Sequence, residues 1–85
     1  MKKRVAIVGI FMKKARDYET LNEIMQAYNE HMVSKMEVVN AHGDISVISI
    51  VMDTTEDTVC AFAGKVSALR GIDAKVIFAK DAKKY

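Results

Sequence analysis

Two short segments in which almost every residue is apolar constrain this chain more than any other feature. They run from Arg4 to Met12 (RVAIVGIFM) and from Ile45 to Met52 (ISVISIVM). Both are rich in β-branched residues, and each is much shorter than the roughly 20 residues that cross a bilayer as a helix. Because side chains alternate between the two faces of a strand, the segments predict two strands that are apolar on both faces.

Each apolar segment leads through a polar connection into a segment with helical periodicity. Asp17 is placed to cap a first helix that extends to about His31 or Met32. Its expected buried stripe is Leu21, Ile24, Met25, Tyr28 and Met32. Thr54 or Thr55 is placed to cap a second helix, which ends before Gly71. Its expected stripe is Val59, Phe62, Ala63, Val66 and Leu69.

Two weaker strands complete the pattern, at residues 35–41 and 72–79, with a turn at His42-Gly43-Asp44 between the second and third strands. The order is β-α-β-β-α-β, which predicts an α+β, ferredoxin-like split-βαβ fold. Right-handed crossovers then place both helices on one face of an antiparallel four-stranded sheet of order 4-1-3-2. We expect one domain over residues 1–85, with residues from about 80 to 85 as a flexible charged tail.

Two helices can cover only one face of such a sheet, so the second apolar face needs another cover. We expect a second copy of the chain to cover it, as a dimer or a tetramer; a ligand or a partner protein is the alternative. Gly9 and Ser49 occupy corresponding positions of the two central strands, where they either relieve crowding under a helix or allow close approach from outside. The residues expected at an oligomer interface or near a ligand are Val8, Gly9, Ile10, Ile48, Ser49 and Ile50.

Composition limits the possible partners and compartments. The formal net charge is only +2, and Phe11 is the one aromatic residue in the two central strands, so direct nucleic-acid binding is not expected. Lys13-Lys14 follows the first apolar run where a signal peptide would have a small-residue cleavage site, so we expect no targeting and no membrane insertion. A single cysteine, Cys60, fits a reducing cytoplasm and is expected to be a small buried apolar residue.

Residues that would specify chemistry are sparse. His31, His42 and Cys60 are weak candidates for metal ligands, because none shows a recognised ligand spacing. The chain has no nucleophile motif, no carboxylate pair embedded in apolar sequence and no glycine-rich phosphate loop. We therefore predict no catalytic residues, no enzymatic activity and no cofactor.

A family resemblance rests on several stretches of the chain. RVAIVGIFM is followed by a glycine-free charged connection and the Asp17 helix. DISVISIVMDTTEDTVCAFAGKVSALRGIDAKVIFAK follows later, with Thr58 before Gly64-Lys65 and Leu69-x-Gly71 before the last strand. Over nearly its whole length the chain resembles the small regulators associated with iron-only hydrogenase systems.

The resemblance implies an ACT-like ferredoxin fold, self-association and a regulatory role tied to hydrogenase maturation or expression. A similar fold forms the metal-sensing domain of nickel-responsive repressors. The histidine and cysteine pattern of such sensors is absent here, so no functional residue carries over. The chain also lacks a DNA-binding segment of its own, so a role in transcription regulation would require a partner protein.

Two main hypotheses follow. The first is a small regulatory or sensory module that binds an unidentified small-molecule effector and acts as a homo-oligomer. The second is a structural interaction module that docks a partner protein through its sheet. A metal-responsive sensor domain and a small oligomeric enzyme are less expected.

Overall fold

The computed structural model describes residues 2–13, 18–42 and 45–80, with only the backbone of residues 39–42. Four strands and two α-helices lie in this part of the chain. They are β1 (Lys3–Lys13), α1 (Tyr18–Ala27), β2 (Met32–His42), β3 (Ile45–Thr55), α2 (Glu56–Ser67) and β4 (Ile72–Phe78). The predicted Asp17 cap, the Gly43 turn and the tail at 81–85 lie outside the described residues.

The strands form one antiparallel sheet of order β2-β3-β1-β4, which confirms the predicted order and the α+β fold. The two apolar segments are the central strands β1 and β3, and they pair along their whole length from Lys3 opposite Thr55 to Lys13 opposite Ile45. Both helices pack on the same face of this sheet. The architecture is therefore the ferredoxin-like arrangement that the element order predicts.

The core lies between the helices and one face of the two central strands. The largest buried side chain is Phe62 of α2, which reaches the sheet together with Val59 and Val66 from the same helix. Leu21 and Met25 provide the buried positions of α1. The sheet contributes the buried apolar side chains of Ala6, Val8, Ile10, Met12, Ile48, Ile50, Met52 and Ile72.

The first helix ends earlier than its apolar periodicity predicts. The α-helical pattern stops at Ala27, and residues Asn29–His31 form a 3₁₀ turn that leads directly into β2. The Tyr28 amide donates to both Ile24 O (3.3 Å) and Met25 O (3.2 Å), so the last turn is already tightened. Tyr28 packs against the core from the turn and Met32 from the start of β2. Their apolar side chains therefore keep a helix-like spacing in the sequence beyond the end of α1.

The ends of the second helix follow the sequence signals. Thr55 is the N-cap, and its side chain accepts a hydrogen bond from the Thr58 amide, while Glu56 and Asp57 occupy the first turn. Thr54, the other candidate cap, is a buried residue of β3. Gly71 has a φ of 77°, a conformation that L side chains rarely adopt, and it turns the chain into β4.

Candidate functional site: the open face of the sheet

The side chains of β1 alternate between full burial and exposure. Val8 and Ile10 are 0% exposed under the helices, whereas Val5 and Ile7 are each 45% exposed on the opposite side. The covered face is the side of the sheet that packs against α1 and α2. The open face is the opposite side, on which neither helix packs.

Strand register identifies the residues of the open face, because residues that are directly opposite each other in a sheet point the same way. Ile7 pairs with Val51 of β3 and with Ile77 of β4, and Val38 of β2 pairs with Val47. Nine apolar side chains occupy this face in the described chain. They are Val5, Ile7, Phe11, Met36, Val38, Ile45, Val47, Val51 and Ile77.

A shallow furrow lies in the middle of the open face, on the two central strands only, because Met36 on β2 and Lys75 on β4 follow in the same cross-strand row and close its two ends. Gly9 and Ser49 are directly opposite each other on the two central strands. The next open-face pair on one side is Phe11 with Val47, and the next on the other side is Ile7 with Val51. Two apolar ridges therefore flank a strip of small residues. A Cβ atom added to Gly9 would lie 3.7 Å from Phe11 Cε2, so the Phe11 ring leans partly over this strip.

Charged residues lie around the apolar centre of the open face. Asp73 and Lys75 on the edge strand β4 form an exposed ion pair, with 3.7 Å between Lys75 Nζ and Asp73 Oδ2. Lys13 and Asp53 lie towards the ends of the two central strands. An apolar centre with a polar rim is the usual composition of a protein–protein contact surface.

The interface residues expected from the sequence divide between the two faces. Gly9 and Ser49 lie on the open face, next to each other, and their role stays a prediction. The other four, Val8, Ile10, Ile48 and Ile50, are completely buried on the covered face, where a partner cannot reach them without displacing a helix. The interpretation that Gly9 and Ser49 relieve crowding under a helix is wrong, because both helices of the described chain pack on the opposite side of the sheet.

The weak metal-ligand candidates do not form a cluster in the described residues. His31 is half-buried beside the Tyr28 ring, with 6.3 Å between ring centroids. Cys60 is exposed on α2, so the expectation that it is buried is wrong: it lies beside the apolar stripe, not on it. The side chain of His42 lies outside the described part of the chain. No group of three His, Cys, Asp or Glu residues that could hold a metal ion occurs among the described side chains.

A second concave feature, which no sequence pattern indicates, adjoins the open face. An apolar recess of about 390 Å³ lies where β1 ends and β4 begins. Its lining includes Phe11 and Ile45 from the open face, and Gly71 and Ile72 from the start of β4. The sequence identifies Gly71 only as the residue that ends α2. Its place in the recess follows from the strand order, which puts the start of β4 beside the end of β1.

None of the helices in the described ranges is long and apolar enough to span a membrane.

The comparisons with known proteins agree with this architecture. A family model named TM1266-like, with the description "Iron-only hydrogenase system regulator, putative", matches residues 4–76. The chain is also similar to a solved structure of the uncharacterized protein TM1266 from Thermotoga maritima. That match has a TM-score of 0.84 and 25% sequence identity, and it covers 93% of this chain and 100% of the other. No curated protein matches the chain. Because the family model extends from β1 into β4, the chain belongs to the TM1266-like family of iron-only hydrogenase system regulators, which confirms the family resemblance.

Proposed function

We propose that this protein is a non-enzymatic regulatory module of an iron-only hydrogenase system and that it self-associates through its open face. The observation that carries the proposal is the row of apolar side chains left uncovered on the central strands. Ile7 is 45% and Phe11 44% exposed, although both belong to the strand that also forms the core. A contiguous apolar surface of this kind marks an interaction site more often than a free surface.

The size of the open face limits how much of a standard interface it can supply. Four strands spaced by about 4.8 Å, followed from Val5 to Phe11 at about 3.4 Å per residue, give a footprint on the order of 400 Å². A standard interface buries about 800 Å² on each partner. This part of the open face, which includes the charged residues Asp73 and Lys75, therefore supplies about half of such an interface, and residues outside it have to contribute the rest. We expect a concentration-dependent oligomer that dissociates in the micromolar range.

The shape of the open face favours a second copy as the occupant. A two-fold interface uses the same patch on both subunits, so the patch has to be complementary to itself. This face carries both a furrow, at Gly9 and Ser49, and ridges beside it that include Ile7 and Phe11. Ridges of one copy can therefore pack into the furrow of the other.

Pairing through a sheet edge is less favoured than packing through the open face. The pairing of β2 with β3 shifts register between Met32 and Ser34 and again between Val38 and His42. Such bulges hinder the addition of another strand, and a lysine such as Lys75 on the β4 edge has the same effect. The central strands have neither obstacle between Val5 and Phe11 on the open face, although Lys75 borders them opposite Gly9.

Sedimentation velocity from about 1 to 300 µM tests the proposal, with the substitution Ile7→Lys and the control Ala61→Lys on the exposed side of α2. We expect the wild type and the control to shift from monomer to oligomer with concentration. Ile7→Lys should stay monomeric, because association would bury an unpaired charge. A wild type that stays monomeric throughout the range would overturn self-association and leave the open face free to dock another protein.

The regulatory part of the proposal is tested in the organism that encodes the chain. Hydrogenase activity should differ between cells that carry the wild type and cells that carry Ile7→Lys, while Ala61→Lys cells should match the wild type. If deletion of the chain leaves hydrogenase expression and activity unchanged, the regulatory role is contradicted.

A further inference from the structure

We propose that the apolar recess beside the open face binds a small apolar molecule with a single carboxylate, and that this ligand changes the self-association of the protein. The inference rests on the proposed function, because a regulatory module needs a site through which its association state responds to a signal. The recess, at about 390 Å³, falls within the range of roughly 300–1,000 Å³ that is typical of small-molecule sites.

The walls of the recess come from three strands that the fold brings together at one end of the sheet. Phe11 and Ile45 reach it from the open face, and Met12 and Ile72, both nearly buried, form its inner side. Gly71 lines it without a side chain. A hydrogen bond of 3.0 Å from the Lys13 amide to Gly71 O holds β1 against the start of β4. Because Lys13 also pairs with Ile45 of β3, all three strand ends are fixed relative to one another.

The charges at the recess favour one negative charge on the ligand. Lys13 and Asp73 are its two charged lining residues in the described chain. The Asp73 carboxylate faces Lys75 Nζ at 3.7 Å in an exposed ion pair, and the Lys13 ammonium is the one cationic group of the described lining that can attract a carboxylate. A second charge on the ligand would lie against apolar walls and lose its hydration without a partner.

The recess and the open face share residues, which couples the two sites. Phe11 and Ile45 line the recess and also belong to the apolar surface that a second copy would cover. A ligand that contacts these side chains makes different contacts in the monomer and in the oligomer. Its affinity for the two states then differs, and by linkage its binding shifts the association equilibrium by the same factor.

Methyl NMR titration with 3-phenylpropionate and 4-methylpentanoate, up to about 20 mM at constant ionic strength, tests for the site. We expect saturable shifts at Ile45 and Ile72 with a dissociation constant in the millimolar range, because ligands this small have few atoms to contribute binding energy. The uncharged 3-phenylpropionamide and the variant Lys13→Gln should each bind about two- to fivefold more weakly, as removal of one exposed charge pair implies.

Lys3→Gln is the matched control, because Lys3 is an exposed lysine at the other end of β1 and should leave binding unchanged. The absence of saturable shifts with both acids, or equal affinity for the acid and its amide, would overturn the inference. Sedimentation velocity with and without 3-phenylpropionate tests whether ligand binding changes self-association. If the acid binds and the association equilibrium is unchanged, the coupling between the recess and the open face is overturned. A wild type that binds the acid but never associates would contradict the proposed function separately.

Discussion

The covered and open faces of the sheet are both rich in branched apolar side chains on the central strands, but they have very different surroundings. On β1, Ile10 is 0% exposed beneath the helices, whereas Ile7, three residues away on the other face, is 45% exposed. The covered face gains its stability from packing within the chain. The open face has a similar supply of branched apolar side chains, and no element of the described chain packs over it.

The two faces differ most at their centres. The covered face is filled by Phe62 of α2, which also contacts Tyr28 with 5.2 Å between ring centroids. In the middle of the open face, the two central strands have only the small residues Gly9 and Ser49. The centre of the covered face is therefore filled by side chains of the same chain, while the centre of the open face has a furrow that a binding partner could fill. The difference indicates that one face stabilises the fold and that the other is available for binding.

The largest effect expected from this comparison is on the free energy of unfolding. Ile10→Ala should lower it by about 2–5 kcal/mol, because the substitution leaves a cavity in the core. Ile7→Ala should lower it by about 1 kcal/mol or less in dilute protein, because that side chain is already half in water. Urea unfolding below the association range measures both. If both variants lose the same unfolding free energy, the covered face does not contribute more to the stability of the fold than the open face.

A smaller effect is expected where α2 is anchored over the covered face. Thr55→Ala removes the oxygen that accepts from the Thr58 amide at 3.2 Å and should cost about 1 kcal/mol of unfolding free energy. Thr58→Ala keeps that amide and its acceptor, so its cost should be smaller. Neither variant should alter sedimentation. A change in association caused by Thr55→Ala would contradict the separation of the two faces.

The smallest effect is expected from Gly9→Ala. The added Cβ would make ordinary contact with Phe11, and replacing a glycine inside a strand should stabilise the monomer by about 0.5–1 kcal/mol. The same methyl group narrows the furrow, so self-association should weaken several-fold. Thermal unfolding and sedimentation measure the two effects separately. Association that is unchanged would exclude the furrow from the interface.

The strands and helices could be predicted from the sequence because they depend on local patterns, and the sheet order followed from the element order and right-handed crossovers. The β-branched runs, the Thr55 cap and the position of Gly71 all identify their elements directly. The end of α1 was not predictable in this way. Met32 packs with the core from the start of β2, so its spacing from Tyr28 imitates another helical turn.

The site was only partly predictable, for a geometrical reason. Alternation divides β1 into two sets of side chains, but it does not say which set the helices cover. Residues of both sets were therefore combined in the expected interface, although Val8 and Ile10 are buried and Gly9 is on the open face. The exposure of Cys60 was missed for a similar reason, since a position beside an apolar stripe can lie on either side of its boundary.

Methyl NMR with a soluble paramagnetic agent, recorded at low and at high protein concentration, tests the central claim most directly. Ile10 and Ile50 should be protected from the agent at every concentration, because the helices cover them. Ile7 and Val51 should be accessible in dilute protein and become protected as the concentration rises into the range where sedimentation detects an oligomer. If the open-face methyl groups stay accessible while an oligomer forms, the chain self-associates through another surface and the account is contradicted.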